Sequence, residues 1–148
     1  MTNSIYNQAK EIQKLAGKLL YEEAAKPYTD IEEWRKQQEM LAKETDALLK
    51  QEGATPEEEA EIVLAILMGY TIAVRNRKNI AKGMERAWRV MPKIQDPELK
   101  CRLAVFCYGE CRDEELAATA HRLIGELRQN GNEEATGELE ELLLSFAE

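Results

Sequence analysis

The stretch from Thr55 to Met68 constrains the fold most. Thr55 offers a capping hydroxyl, Pro56 takes the first helical position where its missing N–H costs nothing, and Glu58 stands three residues after the cap, able to complete a capping box. Glu57, Glu58, Glu59 and Glu61 lie where the positive end of a helix favours negative charge, so this acid run reads as a helix start in preference to a metal or catalytic cluster. From Ala60 to Met68 the same helix is apolar on nearly every side. A helix without a polar face belongs at the centre of a fold, with other helices packed around it.

The rest of the chain supplies those helices. Start signals recur at Ser4, Asp30, Asn79, Asp96, Asp113 and Asn132, and nowhere do Val, Ile and aromatic residues alternate over the length of a strand. A first helix from about Ser4 to Ala25 carries Ile5, Ala9, Ile12, Ala16, Leu19 and Leu20 on one face. A second, from about Asp30 to Glu52, has only the narrow stripe Ile31, Trp34, Leu41 and Leu48, interrupted by Gln38 and Thr45. A fourth spans roughly Arg75 to Met91 and stops at Pro92; a fifth opens with Asp96 and Pro97 and closes near Gly109. A sixth opens at Asp113 and ends before Gly131, and a last, capped by Asn132, presents Leu139, Leu142, Leu143 and Phe146. The starts are unequally spaced, unlike the repeats of ~33–34 residues in tetratricopeptide or ankyrin arrays. Residues 1–148 are therefore expected to form one all-α domain, a compact bundle of about six or seven short helices with short connections.

Several function classes fall away. The longest strictly apolar run, Ile62 to Met68, is far short of the ~20 residues a membrane span requires. The opening MTNSIYNQAKEIQKLAG lacks a basic region followed by an apolar stretch, so the expected location is the cytoplasm. Cys101, Cys107 and Cys111 are then reduced thiols, and a zinc site is disfavoured because Cys107 and Cys111 have no second close pair to complete four ligands. The single imidazole, His121, follows Ala118 by three residues, so the Glu-x-x-His pattern of di-iron bundles fails; it reads as a satisfied structural histidine. Neither a GxxxxGK[ST] nor a GxGxxG loop is present. No enzyme, metal or cofactor is expected, and a small helical enzyme using His121 with Glu114 and Glu115 is the weakest alternative.

Charge is more informative. Residues 75 to 102 hold nine bases and three acids, a local +6 that leaves −14 for the remainder of a chain whose net charge is −8. In the fourth helix, Ile80, Met84, Ala87, Trp88 and Met91 face one side as core, and Arg75, Lys78, Lys82, Arg86 and Arg89 form a stripe opposite. Such a stripe is either a solvated face or a docking surface for an acidic partner, to which arginine is well suited. Direct nucleic-acid binding is disfavoured because the surrounding negative field opposes phosphate, though a regulator reading RNA or DNA through the stripe is the runner-up. Trp34, on the polar second helix, could anchor a partner.

The segments SIYNQAKEIQKLAGKLLY, EEEAEIVLAILMGYTIAV, ERAWRVMPKI and LKCRLAVFCYGECRDEELAATAHRLI together resemble the UpxZ family of transcription antitermination antagonists over roughly residues 4 to 125. The most specific part runs from Leu99 to Ile124 and includes Arg102, Leu103, Cys107, Tyr108, Gly109, Glu110, Asp113, Glu114, Glu115, Leu116, Ala120 and His121. The resemblance implies a protein encoded in a capsular polysaccharide locus that opposes NusG-like antiterminators of other loci. Such work needs an interface and no catalytic residue. A stable complex buries on the order of 800 Å² per partner, more than one helix stripe supplies. Helices four and five with the loop Tyr108 to Asp113 are thus the expected contact region: Arg75, Lys78, Lys82, Arg86, Arg89, Tyr108 and Glu110, with Arg86 and Arg89 foremost.

Overall fold

Helix boundaries follow the caps. In the computed structural model, which describes residues 2–17, 31–72, 77–131 and 133–147, the helices are α1 (Thr2–Gly17), α2 (Ile31–Leu49), α3 (Pro56–Ile72), α4 (Arg77–Val90), α5 (Pro97–Cys111), α6 (Glu114–Gln129) and α7 (Glu133–Ala147). A 3-10 turn, Met91–Lys93, follows α4, and no strand occurs among the described residues. The chain is all-α, as the start signals require. Thr55 Oγ1 accepts from Glu58 N–H at 3.1 Å, and Glu58 reaches back to Ala54 N–H at 3.3 Å, one residue further upstream than a standard capping box. Asp96 accepts from the N–H groups of Glu98 and Leu99 at 3.0 and 3.4 Å, and Asp113 from Glu115 N–H at 2.8 Å. The expected continuation of the first helix through Leu19 and Leu20 to Ala25, and the caps Asp30 and Asn132, lie outside the described residues.

Two boundaries differ from expectation. α5 does not close at Gly109 but runs to Cys111 and ends on Arg112, whose φ of 58° turns the chain into the left-handed region. Gly109 instead makes room inside the helix: a Cβ there would stand 2.9 Å from the Phe146 ring, which packs edge-on to Phe106 at 5.8 Å. Asn79, a candidate cap if the chain breaks between the third and fourth helices, lies within α4, where its side-chain amide donates to the Tyr70 hydroxyl at 3.1 Å.

α3 is the axis of the fold. Every residue from Ala60 to Tyr70 is buried, and the helix packs against α1, α2, α4 and α5. α5 packs in turn against α6 and α7, and contributes the buried wall Cys101 and Leu103 to Cys107. Burial pushes the Cys101 thiol up to about 11 and the Cys107 thiol to about 12, so both behave as small apolar side chains. Cys111 is exposed.

Several polar groups are buried in this core with partners. Glu61, 4 % exposed, forms an ion pair with Lys10 from α1, and Gln13 donates to the Glu61 carbonyl at 3.0 Å. Thr45, which breaks the apolar stripe of the second helix in sequence, is fully buried, its hydroxyl returned to the Leu41 carbonyl at 2.6 Å. Gly69 of α3 abuts it: a Cβ at Gly69 would stand 2.2 Å from Thr45 Oγ1. Gly69→Ala should therefore cost about 1–3 kcal/mol by overpacking despite the better helix propensity of alanine. Thermal melts check this, and adding Thr45→Ala in the same chain should recover most of the lost Tm.

Candidate partner-binding site

α4 begins from a sequence that alternates two kinds of surface. Ile80, Gly83, Ala87 and Val90 are buried against α3, and the smallness of Gly83 sets the approach, since a Cβ there would meet Ile66 at 3.2 Å. The core face is centred on these four residues. Met84 is half-buried at its edge, and Met91, in the following 3-10 turn, is buried.

Trp88 is not part of that core. Expected among the buried residues, it is 46 % exposed. At 100° per residue it lies about 120° around the helix from the centre of the Ile80, Gly83, Ala87 and Val90 face. The small residues Gly83 and Ala87 carry the signal that would have placed the face correctly, because close helix packing selects small side chains over an indole. Arg77, Lys78, Ala81, Lys82, Glu85 and Arg89 are also exposed; Lys78, Lys82 and Arg89 form a stripe centred about 100° around the helix from Trp88, whose neighbours one turn back are Met84 and Glu85. Among the described residues Arg77, Lys78, Lys82 and Arg89 form no ion pair.

Arg86 is a different kind of residue. Its Nε and Nη2 donate to both carboxylate oxygens of Glu59 at 2.8 Å, a bidentate pair, while Nη1 and Nη2 donate to the carbonyls of Leu49 and Gln51 at 3.1 and 2.6 Å. The side chains of the pair are only 11 % and 20 % exposed. Burial by itself raises the Glu59 pKa, but the Arg86 guanidinium and the Gly53 N–H, 2.9 Å from Glu59 Oε1, outweigh it and hold the carboxyl below its ordinary value. Arg86 closes the carboxyl end of α2 against the start of α3. This removes it from the outward contact set in which the sequence pattern placed it.

The other expected contacts are distributed. Arg75 lies outside the described residues. Lys78, Lys82 and Arg89 share the exposed face of α4. Tyr108 and Glu110 sit near the end of α5, half-buried, on a helix held mainly by α3, α6 and α7 and only slightly by α4. The structure does not join them to the basic face. His121, expected to be satisfied internally, is exposed on α6.

Among the described residues no group of three or more His, Cys, Asp or Glu is arranged to hold a metal, and no helix is long and apolar enough to cross a membrane. An open cleft of about 880 Å³ has the apolar floor Met68, Phe106, Leu139 and Leu142. Its rim mixes Lys10, Lys14 and Arg102 with Glu11, Glu138 and Glu141, so it selects neither sign of charge.

Comparison with known proteins agrees with this architecture. A crystal structure of a transcription anti-terminator antagonist UpxZ from Bacteroides uniformis superposes with a TM-score of 0.84 at 28 % identity, over 97 % of this chain and 92 % of that one. No curated protein gives a significant match. The model of the UpxZ family of transcription anti-terminator antagonists matches residues 9–109, from within α1 into the last turn of α5 and across the whole of α3 and α4. This chain belongs to the UpxZ family of transcription anti-terminator antagonists.

Proposed function

We propose that this protein antagonises NusG-like antiterminators of capsular polysaccharide loci other than its own by binding them directly, without catalysis. The observation that carries the reading is the family match across α3, α4 and α5. Two features of the fold support it. The exposed face of α4 offers Lys78, Lys82 and Arg89 without ion pairs among the described residues, and Trp88, at the flank of that face, is an exposed aromatic of the kind enriched in interface hot spots. The residues assigned to the contact are Lys78, Lys82, Trp88 and Arg89, with Tyr108 and Glu110 of α5 as a separate set to be tested. The site of action is the cytoplasm, where transcription occurs.

The test is an in vitro transcription assay in which a purified antiterminator drives readthrough of a terminator. Wild-type protein should suppress readthrough at near-stoichiometric concentration. The double variant Lys82→Glu, Arg89→Glu should keep its helical circular dichroism yet need about tenfold or more protein for the same suppression, because reversing two contact charges turns attraction into repulsion. Equal suppression by the folded double variant would place the contact elsewhere on the molecule. Absence of suppression by wild-type protein would overturn the reading.

A further inference from the structure

We infer that the outward face of α4 is a docking site for an acidic, amphipathic protein segment, whose carboxylates meet Lys78, Lys82 and Arg89 and whose apolar side chain packs on Trp88. This rests on the partner reading above and adds the chemistry of what is bound. The indole is exposed at 46 %, although a tryptophan buries more apolar area than almost any other side chain when it has a partner surface. Its setting is a helix face on which Arg77, Lys78, Lys82 and Arg89 are met by the single acid Glu85, in a chain of net charge −8. Among the described carboxylates outside α4, Glu59 reaches toward this face, where it attracts Arg89 at longer range while its direct ion pair is with Arg86; the other described ion pairs, of Glu61, Glu98, Glu126 and Glu140, lie with Lys10, Arg102, Arg122 and Arg128.

An aromatic residue amid bases would also suit single-stranded nucleic acid, whose bases stack on indoles. The negative charge of the rest of the chain decides against it, since a polyphosphate strand would be repelled by the surface flanking one short helix, whereas a compact acidic segment is met only where the charge is complementary. The 14 residues of α4 make a ridge roughly 21 Å long, the length of a partner helix of about four turns. Partner carboxylates and an apolar anchor on the same side, at three- and four-residue spacing, would match it.

The experiment uses two probes on the full chain. The first is a fluorescein-labelled synthetic helical peptide of Glu and Asp with Leu and Phe at i, i+3 and i+4 spacing, followed by anisotropy at low and high salt. Trp88→Ala and Lys82→Glu should each weaken its binding about tenfold or more, Trp88→Phe should restore part of it, and Leu144→Ala, at an exposed apolar residue of α7, should leave it unchanged. Failure of the peptide to bind wild-type protein, or binding indifferent to both Trp88 and Lys82 in folded variants, overturns the inference. So does tighter binding of a 12-nucleotide single-stranded RNA that the same variants abolish. The second probe is a purified NusG-like antiterminator. If it fails to bind a chain that still takes the peptide, the identity of the partner is overturned and the docking face stands. If it binds but ignores Trp88 and Lys82, the docking face is overturned and the partner stands.

Discussion

Arg86→Ala will destabilise this protein by about 3 kcal/mol, at the lower end of what breaking a buried ion pair costs because its partners keep some contact with water. The change strands the Glu59 carboxylate and also leaves the carbonyls of Leu49 and Gln51 without their donor at the end of α2. For a domain of this length the Tm should fall by roughly 6–12 °C. Denaturant unfolding of Arg86→Ala, Glu59→Gln and the double variant should give a cycle in which the second substitution adds little to the first. The pair also has a pH signature. Because the folded pKa of Glu59 lies below its ordinary 4.5, its stabilisation is present above that value and is lost as pH falls through the depressed folded pKa. The stability gap between wild type and Arg86→Ala should accordingly narrow in acid. A gap that stays constant down to full protonation would mean that Arg86 acts through packing alone.

The second large effect is expected at Lys10. Glu61 is buried at the head of the apolar stretch of α3, and Lys10 from α1 supplies the countercharge. Lys10→Met should cost about 1–3 kcal/mol, since it leaves a buried carboxylate without its cation although the lysine itself is partly exposed, while the Lys10→Met, Glu61→Leu pair should recover most of that loss. Chemical denaturation of the three variants reads both effects. If the single and double variants were equally destabilised, α1 would be held to α3 by its Ala9, Ile12 and Ala16 packing and not by the ion pair.

How far the sequence disclosed the fold depended on the range of the interactions involved. Caps are local, so Thr55, Asp96 and Asp113 could be read directly, as could the buried character of Ala60 to Met68, which depends only on composition around one helix. Contacts between helices were harder. Thr45 looked like an interruption in the second helix because nothing local reveals that Gly69, 24 residues later, leaves a recess for it. Gly109 looked like a helix end because its clearance is for Phe146, far along the chain.

The candidate site was half legible for the same reason. That α4 has a basic side follows from periodicity, but where the boundary between core and solvent falls is decided by the surface of α3. Gly83 against Ile66 rotates the helix so that Trp88 emerges and Arg86 tucks in. Tryptophan is ordinarily core and arginine ordinarily solvated, so residue type pointed the wrong way for both. Glu59 was rightly placed at a helix start, where the dipole favours it, but its second role as the partner of Arg86 needed the packing of α3 on α4.

These placements change how the docking face must be tested. Reversing charge at Arg86 would dismantle the junction of α2, α3 and α4 and reduce binding through unfolding, so Lys82 and Arg89 are the positions that report on contact. The most direct measurement of the central claim is calorimetric titration of this chain into purified, nuclease-treated NusG-like antiterminators from the same genome, cognate and noncognate. The account predicts saturable binding to the noncognate antiterminators that survives nuclease treatment. No heat from any of them, with a chain shown to be folded by circular dichroism, would contradict it and move the antagonism to RNA, polymerase or a third protein.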